Sequence, residues 1–226
     1  MTALGPLAAP EEPWIRWDWV GRHTDQILGA LGQHVELTVI AVVVGFVLAA
    51  PLGLLAARWK PARDPILSVT GILYTIPSLA LFALLLPFTG LSVLTSEIGL
   101  VGYTLLILIR NIVVGLDGVP PDVLEAAQGM GYRARARLLR IELPLAAPVI
   151  LAGIRIATVT TIGLVTITAL IGQGGLGQLI LEGLIRDFPT PLIVGAVLSI
   201  LVALLADVTL SGVQRLLTPW AAQRAS

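Results

Sequence analysis

The 226-residue chain has no cysteine, only two histidines, and charged residues at 12%. The missing cysteine excludes disulfides, zinc–thiolate sites and thiol chemistry together. His23 and His34 are too few for a metal site, and their place near the N-terminus suits interfacial polar residues. The shortage of charge is the stronger signal, because soluble domains carry about 25% charged residues. Lys and Arg together number 14 and Asp and Glu together 14, for a net charge of zero. A nucleic-acid partner therefore has no electrostatic support. The chain also lacks a convergent Ser/His/Asp, Cys/His or metal-ligand set. Its one glycine run, Gly172 to Gly177, lacks the Lys-Ser/Thr of a nucleotide-binding loop.

What remains is apolar. Hydrophobic residues make up 56% of the chain and the mean hydropathy is +0.93. A membrane span needs about 20 mostly apolar residues, and five stretches qualify: roughly 35–57, 66–88, 98–116, 145–171 and 192–216. Pro51, Gly53, Pro77, Pro87 and Pro148 interrupt them, as neighbouring helices in a membrane permit. Length predicts one domain. The Pro-rich start, with Glu11 and Glu12, is unlike the basic opening of a signal peptide. Trp14, Trp17 and Trp19 follow, so residues 14–31 are expected to form an amphipathic helix on the membrane surface. No internal repeat is visible, which weakens a reading as a complete secondary transporter.

Lys and Arg concentrate in alternate loops. Arg58, Lys60 and Arg63 lie after the first stretch, Arg133, Arg135, Arg137 and Arg140 after the third, and Arg215 and Arg224 towards the end. Positive charge marks the cytoplasmic side. Five spans then place the N-terminus outside and the C-terminus in the cytoplasm.

The longest polar insertion lies in the third loop. Val119-Pro120-Pro121 ends a span, and Asp122 with Glu125 three residues on has the spacing of a capping box. Val123 to Met130 is expected to be a short helix with a flat surface at Ala126 and Ala127. Gly131 suits a left-handed cap. Tyr132 to Arg140 predicts a second helix with Arg133, Arg137 and Arg140 on one face. Leu143-Pro144 is expected to reset the chain direction.

Glu125-Ala126-Ala127, Gly131, Ile141, Leu143 and Pro144 together form E-A-A-x3-G-x9-I-x-L-P. This pattern resembles the cytoplasmic coupling loop of bacterial ABC importer permeases. Thr75 to Ala80, Ile109-Arg110-Asn111, Ala152 to Arg155 and Ile171 to Gly177 are similar to segments of the osmoprotectant branch, which takes up glycine betaine, choline, carnitine or related solutes. The Gly-Gly-Leu-Gly run also resembles methionine permeases, so importers of methionine or another amino acid are the alternative, ahead of a stand-alone channel or carrier.

The resemblance implies an all-α membrane protein of the type I ABC importer permease fold, with about five transmembrane helices and no enzymatic activity. It divides the chain into an extracytoplasmic tail and interfacial helix (1–32), a transmembrane permease domain (33–217, coupling loop 119–144) and a cytoplasmic tail (218–226). It also implies a second permease subunit, ABC ATPase subunits carrying ATP-Mg, and an extracytoplasmic solute-binding protein. This chain itself is expected to bind no cofactor.

Arg110, Arg155 and Asp207 lie inside predicted spans, where charge is expensive and faces a bundle interior or water. Arg155 and Asp207 sit at matching depths, roughly 15 Å from the inner ends of their spans, which predicts that they pair. Arg110 is shallower and can snorkel. Asn111 is its neighbour in the osmoprotectant-like segment. Thr158 and Thr166 share the helix face of Arg155 and are candidates to line a polar path, although threonines in membrane helices often bond backbone carbonyls instead. Gln178 to Arg186 is expected to be a short outer helix, after glycines that serve a gate or a docking face.

Overall fold

A computed structural model describes residues 13–222. Glu11, Glu12 and Arg224 lie outside the described residues. Among those described, every regular element is helical.

The chain opens with α1 (Trp17–Arg22) and runs into α2 (Thr24–Arg58). The expected surface helix over 14–31 is thus replaced by one short helix, and residues 24–31 already belong to the first span. Ile27, Leu28 and Leu31 continue the apolar phase of the span, and only His23, at φ −112°, interrupts it. The N-terminal segment is pinned rather than afloat. Trp19 stacks on His23 with ring centres 4.3 Å apart and meets Phe188 edge-on, and the Arg16 amide donates to Thr190 Oγ1 at 3.0 Å. His34, expected at an interface, is wholly buried, with Nε2 3.1 Å from the Ile162 carbonyl oxygen.

The second stretch is two helices, α3 (Lys60–Thr75) and α4 (Ser78–Thr89), bent by 96°. Pro77 has no N–H to continue the ladder, and the residue before a proline is driven out of the helical region. Ile76 accordingly sits at ψ 127°. Its carbonyl accepts from the hydroxyl of Tyr103 on α5 (Val93–Asp117). α5 is the axis of the bundle. Two-thirds of its apolar window is buried, against 6% for the last long helix. One face of α2 carries Gly45, Ala49, Gly53 and Ala56, all buried. A Cβ on Gly45 would lie 1.9 Å from Thr104 Oγ1, and one on Gly53 2.8 Å from Ile112 Cγ2. Small residues let membrane helices approach this closely, so Gly53 makes a contact rather than a break.

After α5 come α6 (Pro121–Gly129), α7 (Ala134–Arg137), a π turn (Leu138–Glu142), α8 (Leu143–Ile167) and a 3₁₀ turn (Thr168–Ile171). Residues 134–171 run on as one span-length helix. Leu143-Pro144 therefore does not reset the chain direction. Pro144 cannot bond the carbonyl one turn back, and the wider π turn just before it absorbs that loss without a corner. α9 (Leu176–Ile185) starts two residues before the expected Gln178, and α10 (Pro189–Leu217) and α11 (Pro219–Ala222) finish the chain. Among the described residues, four helices, or five with the bent pair, are long and apolar enough to cross a bilayer. One core joins Ala49 and Ala56 of α2, Ile109 and Ile112 of α5, and Ala146 and Ala157 of α8. A second joins Leu37, Phe82, Leu100 and Val165.

Candidate coupling hairpin and intramembrane site

α6 begins at Pro121, one residue before the expected cap. A proline at the first helical position is already set at helical φ, so Asp122 falls within the first turn and caps nothing with its side chain. Its charge still suits the positive end of the helix. Glu125 and Ala126 are exposed, whereas Ala127 is buried. Gly131 takes φ +82°, its N–H donates to the Gln128 carbonyl at 3.0 Å, and the Tyr132 N–H donates to the Ala127 carbonyl at 3.1 Å. This pair of bonds is a Schellman cap, which folds α6 back towards α7. A pocket of about 360 Å³ beside the turn is lined by Met130, Gly131, Tyr132, Arg133, Ala136 and Arg140.

The motif residues therefore divide by task. Glu125 and Ala126 face outward. Ala127 and Gly131 shape the hairpin. Ile141, Leu143 and Pro144 are half-buried, and Leu143 packs against the core around Ile109 and Ile112.

Arg137 leaves the arginine face expected for it. Its Nε donates to Glu142 Oε1 at 2.9 Å, and Arg58 Nη2 donates to Glu142 Oε2. Glu142, which the motif leaves unspecified, is 3% exposed. Its one sequence signal is that it is the sole acid in a run of arginines. A second ion pair, Arg63 with Asp117 at 2.6 Å, ties α3 to the end of α5, and its acid is much more exposed than Glu142.

In the bundle, Arg155 and Asp207 meet as a bidentate pair, Nε to Oδ1 and Nη2 to Oδ2, the latter at 2.7 Å. Asn111 donates to the Ile107 carbonyl at 2.8 Å. It packs on Gly153, where an added Cβ would come within 2.4 Å of Asn111 Cβ. Arg110 is exposed. Thr158 donates to the Ile154 carbonyl at 2.8 Å and Thr166 to the Gly163 carbonyl at 2.7 Å. Thr158 lines an apolar cavity of about 570 Å³ between α2, α8 and α10, and Thr166 is not among its lining residues.

From Gly174 to Gly177 the glycine run is a buried joint. The Gly175 N–H donates to Gln33 Oε1 at 3.0 Å, and Gln33 Nε2 donates to Gln173 Oε1 at 3.1 Å. Gly175 has φ +49°, and a Cβ there would lie 2.6 Å from the Ala30 carbonyl oxygen.

Residues 49–221 match the family described as binding-protein-dependent transport system inner membrane component. The osmoprotectant import permease protein OsmW of Salmonella typhimurium is 40% identical over 192 residues, covering 83% of this chain and 89% of that protein. The glycine betaine/carnitine/choline transport system permease protein OpuCB of Bacillus subtilis is 36% identical over 194 residues, covering 86% and 89%. Inward-facing structures of the MetNI methionine ABC transporter share the fold, with a TM-score of 0.78 at 20% identity, over 87% of this chain and 98% of that one.

Proposed function

From a chain that belongs to the family of binding-protein-dependent transport system inner membrane components, we propose the permease subunit of an ATP-driven ABC importer for compatible solutes: glycine betaine, choline, carnitine or a close relative. The observation that carries this reading is the exposed α6 surface at Glu125 and Ala126, standing between two bilayer-length helices. The names of OsmW and OpuCB support the solute class.

In this reading ATP-Mg binds to separate ATPase subunits, which grip α6. A solute-binding protein delivers solute outside, and a second permease subunit completes the path. The arginine bias supports an N-terminus outside and a C-terminus in the cytoplasm. Closure of the ATPases pushes α6, and the spans rock to open inward. Aromatics are only 5% of the chain, too sparse for the cages that hold quaternary ammonium groups, so solute choice rests with the binding protein. The back-bonded threonines favour helix packing over pore lining for Thr158 and Thr166. Arg155 and Asp207 neutralise each other in the bilayer and hold α8 to α10, while Asn111 seats α5 on α8 and Arg110 snorkels to the inner surface.

The test is uptake of labelled glycine betaine into proteoliposomes holding this chain with its ATPase and binding protein. Uptake is expected to require both partners and ATP. ATP-driven uptake of an amino acid instead would overturn the solute, and uptake by this chain alone would overturn the importer-subunit reading.

A further inference from the structure

One carboxylate joins three segments on the arginine-rich side of the bundle. Glu142 ends the π turn that leads into α8, Arg137 closes the coupling hairpin, and Arg58 is the last residue of α2. Each oxygen of Glu142 serves a different arginine, so neither bond has to break for the other to form. The hairpin is covalently continuous with α5 and α8 only. Arg58, 84 residues away in sequence, brings α2 to the same point.

We propose that Glu142 is a positioning residue that carries the movement of the coupling hairpin to the inner end of α2 through Arg58. This rests on the reading of α6 as the ATPase contact. The Glu142 side chain is 4% exposed, which shields the charge-assisted bonds from salt. A buried carboxylate is costly without its partners, so the two arginines and the acid travel together when one of them is pushed. The π turn holding Glu142 is a wider turn of a kind that recurs at functional sites, and it lies between the hairpin and the rigid span. The contrast is Arg63 with Asp117, also on this side. Arg63 is as exposed as Arg58, 36% against 37%, but Asp117 is 42% exposed where Glu142 is 4%, and a pair with neither partner buried transmits little.

The experiment measures glycine betaine imported per ATP hydrolysed by the complete importer in proteoliposomes, for the unaltered chain and four variants. Arg58→Ala, at a partly exposed position that tolerates truncation, is expected to lower that ratio by about fivefold or more, with assembled complex and ATPase rate retained. Glu142→Gln is expected to act in the same direction. Arg58→Lys keeps the charge and restores most of the ratio, and Arg63→Ala leaves it within about twofold. Transport and ATP hydrolysis that fall together, in step with the amount of assembled complex, would make the cluster merely structural and overturn the inference. So would an unchanged ratio in Arg58→Ala. If the unaltered complex imports nothing with ATP, the importer reading itself falls, and this inference with it.

Discussion

Two irregular segments stand at opposite ends of α8, and both turn on left-handed glycines. They are built in opposite ways. In the glycine run that leads into α9, an added Cβ at Gly174, Gly175 or Gly177 would come within 2.4–2.6 Å of backbone atoms of other turns. At Gly131 in the coupling hairpin, no heavy atom lies within 4 Å of such a Cβ. The first segment is fixed by what surrounds it. The second is held at its turn by its own backbone bonds and at its base by buried Ala127 and the bond from Arg137 to Glu142, and Glu125 and Ala126 stay exposed. One end of the span is a joint within the subunit, and the other, in the proposed reading, is a handle on it.

The sharpest way to break this contrast is at the joint. Gly175→Val and Gly177→Val must displace the Ala30 and Thr166 carbonyls, at 2.6 Å and 2.4 Å from the new Cβ. A cost above about 4 kcal/mol is expected, seen as loss of monodisperse protein after detergent extraction. Next comes Glu142→Ala, which strands Arg58 and Arg137. Breaking a buried pair costs about 3–5 kcal/mol, measurable as a lowered melting temperature of the purified subunit.

At the handle the effects shift from folding to partnership. Ala126→Asp alters an exposed position, so melting should hold while ATPase affinity falls by about 2 kcal/mol, roughly thirtyfold. Titration of the ATPase against the solubilised subunit reads this directly. Ala127→Asp is a poorer probe, because Ala127 is 1% exposed and a charge there would disrupt the hairpin itself. The smallest effect is expected for Gly131→Ala. With open space around it, the loss is only the left-handed backbone cost of about 1–2 kcal/mol. A collapse as severe as that of Gly175→Val would show that the hairpin is held by packing after all.

The features legible in the sequence are those written within one segment. Apolar length marks each span, and Pro77 marks the break between α3 and α4, although its 96° bend depends on what α4 packs against. The coupling motif is legible because its fixed positions lie within 20 residues. The pairing of Arg155 with Asp207 was readable because a bilayer penalises lone charges and leaves few candidates at one depth. Features that depend on distant partners were not readable. His34 looked interfacial because the Ile162 carbonyl that receives it is 128 residues away. Arg137 looked like one of a row until Arg58 and Glu142 came together across 84 residues. The tryptophans at 14–19 suggested a floating surface helix, but Phe188 and Thr190 hold that segment against α10.

The pair formed by Arg155 and Asp207 also bears on how the protein is made. The two are separated by 52 residues in sequence, and synthesis runs from the N-terminus. The arginine is therefore made well before the aspartate that neutralises it. α10 is apolar and little buried; Arg215 lies in its last turn, so Asp207 is the main obstacle to its entering lipid, and α8 offers a counter-charge made earlier in the chain. The order of the helices along the chain is thus also a workable order of insertion, and reversing the two charges by exchanging them should preserve it.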